Sequence, residues 1–559
     1  MKRGTPAILL LTVLLASIAL VFGRNEVGMR NFPFSVIVTA DGAREELRCV
    51  KFQGEYYMFL PSYGDHATEQ ICVNAVYDVF IDGQKLRKNQ PCTDFPTNTK
   101  LELYFRSLNK EGYETITFVR SANTTTTYID LPSGNMEYIH EQKGNAEAGW
   151  MRIYREDGTL DYSGALETIK ARGNATWVAE KKSYSLKLNQ EADLLGMGAA
   201  DRWVLLSNSY DSSNIRNKLA YDMAIAANMP FSPECTWTDL YLNGEYVGLY
   251  LLSERNEVHS QRVDIDPGCS FLVAIEPDWR LQQQGYAYVQ TEGGTAFRIH
   301  HSAMPEDTLL GIWQSAENAM FAEDGYDTVT GKQWDELIDV DSWAKKYLLE
   351  EVLSNTDVGL ASEFFYYEAS DGVIYAGPVW DMDVTLRSDD TAPWMADRAL
   401  IAGRPHLTGI RDRHYFYALL QKPAFRERVV ELYQAEFRPL LCRLLETGLE
   451  TYTEKTIHAA LANQTRWDGR DPLEKAAELA ENIQKRMDFL DAYWIRQDPF
   501  FLVQVLQSDR VWAFAVSPGE TLEMLPDPEE GTWCLADTEE VLDRTAPVEG
   551  DLVIFVKSH

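Results

Sequence analysis

Ser354 to Asp383 reads SNTDVGLASEFFYYEASDGVIYAGPVWDMD, and the chain is best read outward from it. Upstream, Ala344, Leu348 and Val352 recur at i, i+4 and i+8, which predicts a helix from about Asp341 to Leu353 with one buried face. Within the stretch, FFYY (Phe364 to Tyr367) and VIYAGPVW (Val373 to Trp380) flank Asp371-Gly372, a dipeptide that favours the tight turn of a β-hairpin. If the second strand stays extended to its end, Asp381 and Asp383 share one face, because strand side chains alternate with period two. Carboxylates so placed repel unless a cation lies between them, and hard divalent ions take oxygen ligands. Asp357, on the turn after the helix, is the third acid of interest.

The rest of the chain sets the context. At 559 residues it is long enough for three or four domains, and with 45% apolar and 25% charged residues it has the composition of a globular protein. A formal charge of -33 argues against nucleic acid, whose binding is driven by Lys and Arg releasing counterions, and suits a basic polypeptide partner or simple solubility. The seven cysteines form no C-x-x-C and accompany no His pair, which excludes a zinc site of ordinary spacing. An odd number leaves at least one thiol free, and a bridge among Cys49, Cys72 and Cys92 is left open.

Lys2 and Arg3 precede the apolar run AILLLTVLLASIALVF, the order of an export signal, so residues 1–24 read as a signal peptide or signal-anchor. With no clear A-x-A site the anchor is favoured, placing an exported chain at the cell surface or secreting it. FSVIV, YYMFL, YDVFI, KLELYF and ETITFV predict a small β-sandwich over 31–131, with NTTTT at Asn123 to Thr127 as a linker or further strand. The region 135–497 is mixed. Its first half has strand signals (ETIKAR, YSLKL, WVLLS and the Asn243-Gly244 hairpin LYLNGEYVGLYLL) around a helical segment from Asn214 to Asn228. Its second half is mainly helical, over Thr308 to Phe321, Val340 to Leu353, Tyr415 to Phe437 and Pro472 to Trp494. VWAFAV and LVIFV predict a small β appendage over 500–559. The fold class is therefore α+β.

Six blocks within 135–497 carry a resemblance: RGNATW (Arg172 to Trp177), KKSYSLKL (Lys181 to Leu188), LLGM (Leu194 to Met197), DRWVLLSNSYDSSNIRNKLAYDMA (Asp201 to Ala224), DLYLNGEYVGLYLLSE (Asp239 to Glu254) and GPVWDMD (Gly377 to Asp383). In order and spacing they resemble the CotH family, atypical protein kinases named for a spore-coat protein. The resemblance implies a two-lobed, kinase-like domain with ATP and magnesium, or manganese in its place, in its cleft. It implies Asp357 as the catalytic acid near the attacking hydroxyl, Asp381 as the principal metal ligand and Asp383 as a second. Lys187, then Lys182, is the implied phosphate-contacting lysine; Arg172 and Arg216 are further cations, and Glu254 lies near the nucleotide. Conventional kinases place a metal-binding Asn five residues after the catalytic Asp, where this chain has Ser362 followed by Glu363. Three functions stand beside one another: a kinase for Ser or Thr of a surface-associated protein or of itself, a surface-binding scaffold that has lost catalysis, and a metal-dependent glycosyltransferase using D-x-D. The last uses the same acids but not the upstream blocks.

Overall fold

The computed structural model describes residues 32–65, 67–387, 397–401, 414–467, 469–506, 511–528 and 530–557. The export signal expected over 1–24 lies outside the described residues. Among the described residues no helix is long and apolar enough to cross a membrane. The chain is mixed α+β and divides into two compact units. Met1–Ser209, Thr236–Leu252 and Lys455–Arg470 make the first; Tyr210–Cys235, Ser253–Glu454 and Asp471–His559 make the second.

In the first unit, a four-stranded antiparallel sheet (order Ala43–Leu47, Phe34–Ala40, Glu69–Val73, Gln90–Pro91) and a six-stranded sheet share one core. Strand Lys100–Arg106 gives alternate side chains to that core: Leu101, Leu103 and Phe105 are buried while their neighbours are more exposed. All five β runs read from the sequence over this region are strands. Thr125–Asp130, the linker-or-strand of the sequence reading, is the first strand of a closed seven-stranded barrel. The barrel continues through Glu147–Tyr154, Leu160–Arg172, Ser183–Asp193, Ala199–Leu206, Glu245–Glu254 and Cys235–Leu242, and closes by parallel pairing of Thr125 with Thr238. Closure leaves no sheet edge. The hairpin at Asn243-Gly244 forms as read, with φ of 50° and 81° at the two turn residues, as a type I′ turn demands.

In the second unit, five antiparallel strands lie in the order Tyr288–Gln290, Ala296–Ser302, Phe271–Ile275, Glu363–Glu368, Val373–Ala376. Helices Glu306–Phe321 and Val340–Val352 cover one face, where Trp313 lies 4.2 Å from Phe297 and Trp343 lies 4.9 Å from Phe365, ring centroid to centroid. Asp339 starts the second helix by accepting the Ser342 N–H at 2.7 Å, and Ala344, Leu348 and Val352 are fully buried as their spacing requires. The expected helix from Tyr415 to Phe437 is broken. Tyr415–Leu420 and Pro423–Leu432 are separate because the residue before a proline is pushed out of helical geometry, and Tyr433–Phe437 continues as a wider turn. The appendage is a four-stranded sheet that includes Phe501–Leu506, Val511–Val516 and Leu552–Lys557. The bridge left open among Cys49, Cys72 and Cys92 is not formed: all seven cysteines are free thiols.

Candidate active site

The acids gather in the second unit by a route the alternation argument did not foresee. The strand Val373–Ala376 ends five residues before Asp381, Pro378 offers no N–H to continue a ladder, and Asp381 is left-handed at φ 61°. Asp381 and Asp383 therefore do not share a strand face. Instead, the backbone here is fixed by helix Arg216–Ala226, whose Asn217 accepts the Met382 N–H at 2.8 Å. Ser362 Oγ donates to Asp381 Oδ2 at 3.0 Å. Trp380 stacks on Tyr221 of the same helix, 6.2 Å away.

Asp383 is buried, with 8% of its surface exposed. Burial pushes its carboxyl well above the usual range; Asp381, Asp357 and Asp211 push it further, and Arg216 pulls against them. Asp357 is half-buried on a turn, its N–H donating to Asn355 Oδ1 at 3.1 Å and its carbonyl accepting the Leu360 N–H. The site also reaches Tyr210, whose phenol is raised by burial and by Asp383. Glu276 is raised by burial, lowered by Arg280 and Arg298, and raised again by Asp381.

Asp211 is the residue the sequence reading missed. Its carboxylate accepts the Arg216 N–H at 2.9 Å and Arg216 Nη1 at 2.7 Å, and so anchors the first turn of the helix. A signal was present: Asp211-Ser212-Ser213 just ahead of the helical segment read from Asn214 to Asn228 is a helix-start pattern. Arg216 is 5% exposed, and its Nε has no hydrogen-bond partner among the described residues. Glu254, placed near the nucleotide by resemblance, is paired with Arg262 at 2.5 Å and accepts the Glu234 N–H at 2.8 Å. Burial nevertheless pushes Glu254 up to about 7.

The remaining cations belong to the first unit. Lys187 is a third exposed on strand Ser183–Asp193 and pairs with Glu167 at 2.6 Å. Lys182 donates to the Trp177 and Ala179 carbonyls at 2.6 and 3.2 Å and lies over the Trp177 ring. Arg172 ends strand Leu160–Arg172. Lys181, beside them in sequence, is buried with its ammonium donating to the Ser207 and Leu249 carbonyls, a structural use. Tyr184 and Trp203 are core, at 1% and 0% exposure.

The charged groups that act most strongly on Asp383 are three carboxylates and one guanidinium, and carboxylate oxygens suit a hard divalent cation. Among the described residues no three His, Cys, Asp or Glu side chains converge into a finished metal cage. Magnesium does not need one, since it keeps several waters and is held by one or two carboxylates together with substrate phosphates.

No curated protein matches the chain at a significant level. The family model described as CotH kinase protein matches residues 169–492, more than half of the chain, which therefore belongs to the CotH family.

Proposed function

We propose that the chain is a protein serine/threonine kinase with the two-lobed organisation that its family name implies, transferring the γ-phosphoryl group of ATP to a surface-associated protein or to itself. The observation that carries this reading is Asp383, a carboxylate buried among three others with one arginine to offset them. Burying an uncompensated charge is costly, and a fold that does so gains from a cationic ligand. Magnesium-bound ATP supplies that charge together with the transferable group.

Asp381 and Asp383 would hold the metal. Asp211 spends its carboxylate on the helix start and so keeps Arg216 in place beside Asp383. Within the second unit Arg216 Nε is the group for phosphate oxygens, and among the lysines of the first unit Lys187 is the one that the family resemblance implies for that use. Lys187 suits this better than Lys182, because an exposed Lys–Glu pair is worth about 1 kcal/mol or less and is readily exchanged, whereas the Lys182 ammonium already donates to two carbonyls. Arg172 is a further phosphate contact. Asp357 orients the acceptor hydroxyl and takes its proton. The net charge of -33 favours a basic, Ser-rich acceptor, and the N-terminal segment would export the chain or tether it to a membrane.

The test is incubation of the purified chain with γ-labelled ATP and magnesium, with and without a basic Ser-rich protein. Label should appear on the protein or on the chain, and Asp357→Asn should lower it about 10²–10⁴-fold while nucleotide still binds. Equal labelling by the variant sinks the role of Asp357. A chain that binds nucleotide without transferring it is a scaffold, and one that binds none leaves the surface-binding reading.

A further inference from the structure

Below Asp357 lies a second polar layer that the proposed chemistry does not use. Glu350, on helix Val340–Val352, is 1% exposed, pairs with Lys346 and accepts Asn355 Nδ2 at 2.6 Å. Asn355 in turn accepts the Asp357 N–H at 3.1 Å. Two residues on, the Gly359 N–H donates to Glu363 Oε2 at 3.1 Å, and the same oxygen lies 3.1 Å from His414 Nε2. Glu363 is 3% exposed, at the first position of strand Glu363–Glu368. Burial alone would raise its carboxyl; His414 and Lys346 hold it below the usual range, so it stays an acceptor. The fit is close: Gly359 is at φ 75°, and a Cβ there would come within 2.9 Å of the His414 ring.

We infer that Glu363, backed by His414, is a positioning residue: its carboxylate holds the Gly359 N–H and thereby fixes the turn that presents Asp357. This rests on the phosphotransfer reading for its consequence but not for its geometry. Ser362, at the place where conventional kinases carry a metal-binding Asn, holds Asp381 instead, so two adjacent residues steady the two halves of the site. Phosphoryl transfer depends on position more than on covalent chemistry, which makes such a brace costly to lose.

Two measurements on the full chain test it. Backbone hydrogen exchange over 354–362 should speed up about tenfold in Glu363→Ala while helix 340–352 is unchanged, since local opening, not global unfolding, is what the brace resists. In transfer assays the same variant should lose about 10–10²-fold in kcat with KM for ATP within about twofold, because misplacing a reacting group by about 1 Å costs up to 10². Glu363→Gln, which keeps an oxygen for the Gly359 N–H, should lie between variant and wild type, and it carries the exchange measurement if Glu363→Ala does not fold. In the Asp357→Asn background Glu363→Ala should cost nothing further. Unchanged exchange, a rise in KM with kcat intact, or losses that multiply in the double variant would each overturn the inference. If the wild-type chain transfers no phosphate, the activity reading has failed, and the brace stands or falls on the exchange data alone.

Discussion

Two buried acids in the second unit, Glu351 and Asp383, have been given opposite surroundings. Glu351 is 0% exposed, and so is Arg486. Arg486 donates to the Glu351 side chain and to the carbonyls of Glu351 and Ala399, while the Glu351 carboxylate also takes the Ile401 N–H at 3.1 Å. The charge is spent inside the fold. Asp383 has three acids and one arginine about it, and its charge is not. A buried charge that is sealed belongs to the architecture, and one left open points to something the chain binds.

The sharpest way to break this contrast is to unseal the first acid. Arg486→Leu should destabilise the second unit by about 3–5 kcal/mol, the usual cost of removing one partner from a buried pair. Urea denaturation followed by tryptophan fluorescence reads it, since Trp313, Trp343 and Trp494 all lie in that unit's interior. A loss under about 1 kcal/mol, the size of a surface pair, would mean that burial of Arg486 carries no structural weight.

The second way is to fill the open acid. Magnesium at a hundredfold over its dissociation constant should stabilise the wild-type chain by about 2.7 kcal/mol through mass action, seen as a raised melting temperature without any ATP. Asp383→Asn should abolish that shift, and in metal-free buffer it should melt above the wild type, because it removes a carboxylate that its neighbours repel. An equal magnesium shift in the variant would place the ion elsewhere.

The same contrast marks what could be read from the sequence. Both hairpins were legible, but only Asn243-Gly244 is itself the two-residue turn; at Asp371-Gly372 the strands meet at Glu368 and Val373 across a four-residue loop in which Gly372 takes the positive φ. The helix under Asp357 was legible from its period, while its cap at Asp339 emerged only in the structure. The break at Pro423 was also local and should have been read. The approach of Asp381 and Asp383 was not: their backbone is set by Asn217, 165 residues away, and no alternation encodes that. Nor does any local pattern encode the pairing of Thr125 with Thr238 that closes the barrel. The family resemblance gave roles to Asp357, Asp381 and Asp383, yet none to Asp211, Asn355 or Glu363, whose work is visible only once their partners are in place.

A third treatment of buried charge gives the smallest and finest test: His300 avoids carrying one. Its ring lies 4.7 Å from that of Phe364, and burial, then Arg298 and Arg255, push its pKa down to about 3. A histidine in the unfolded chain titrates near 6.5, so the unfolded state takes up a proton that the folded state refuses. The stability this contributes is full above about 6.5 and is lost as pH falls toward the folded value; at pH 5 the loss is about 2 kcal/mol. Glu254 works the other way, since its raised pKa of about 7 favours the folded state below the ordinary carboxylate range and the advantage is lost as pH rises through about 7. The two slopes oppose each other in wild type, and the difference between wild type and His300→Phe isolates the first. Unfolding free energies from urea at pH 6.5 and pH 5 should converge in that variant by about 1.6 kcal/mol relative to wild type. Identical pH slopes would mean that His300 takes up its proton in the fold as readily as in the unfolded chain, adding a further cation close to Arg298 and Arg255.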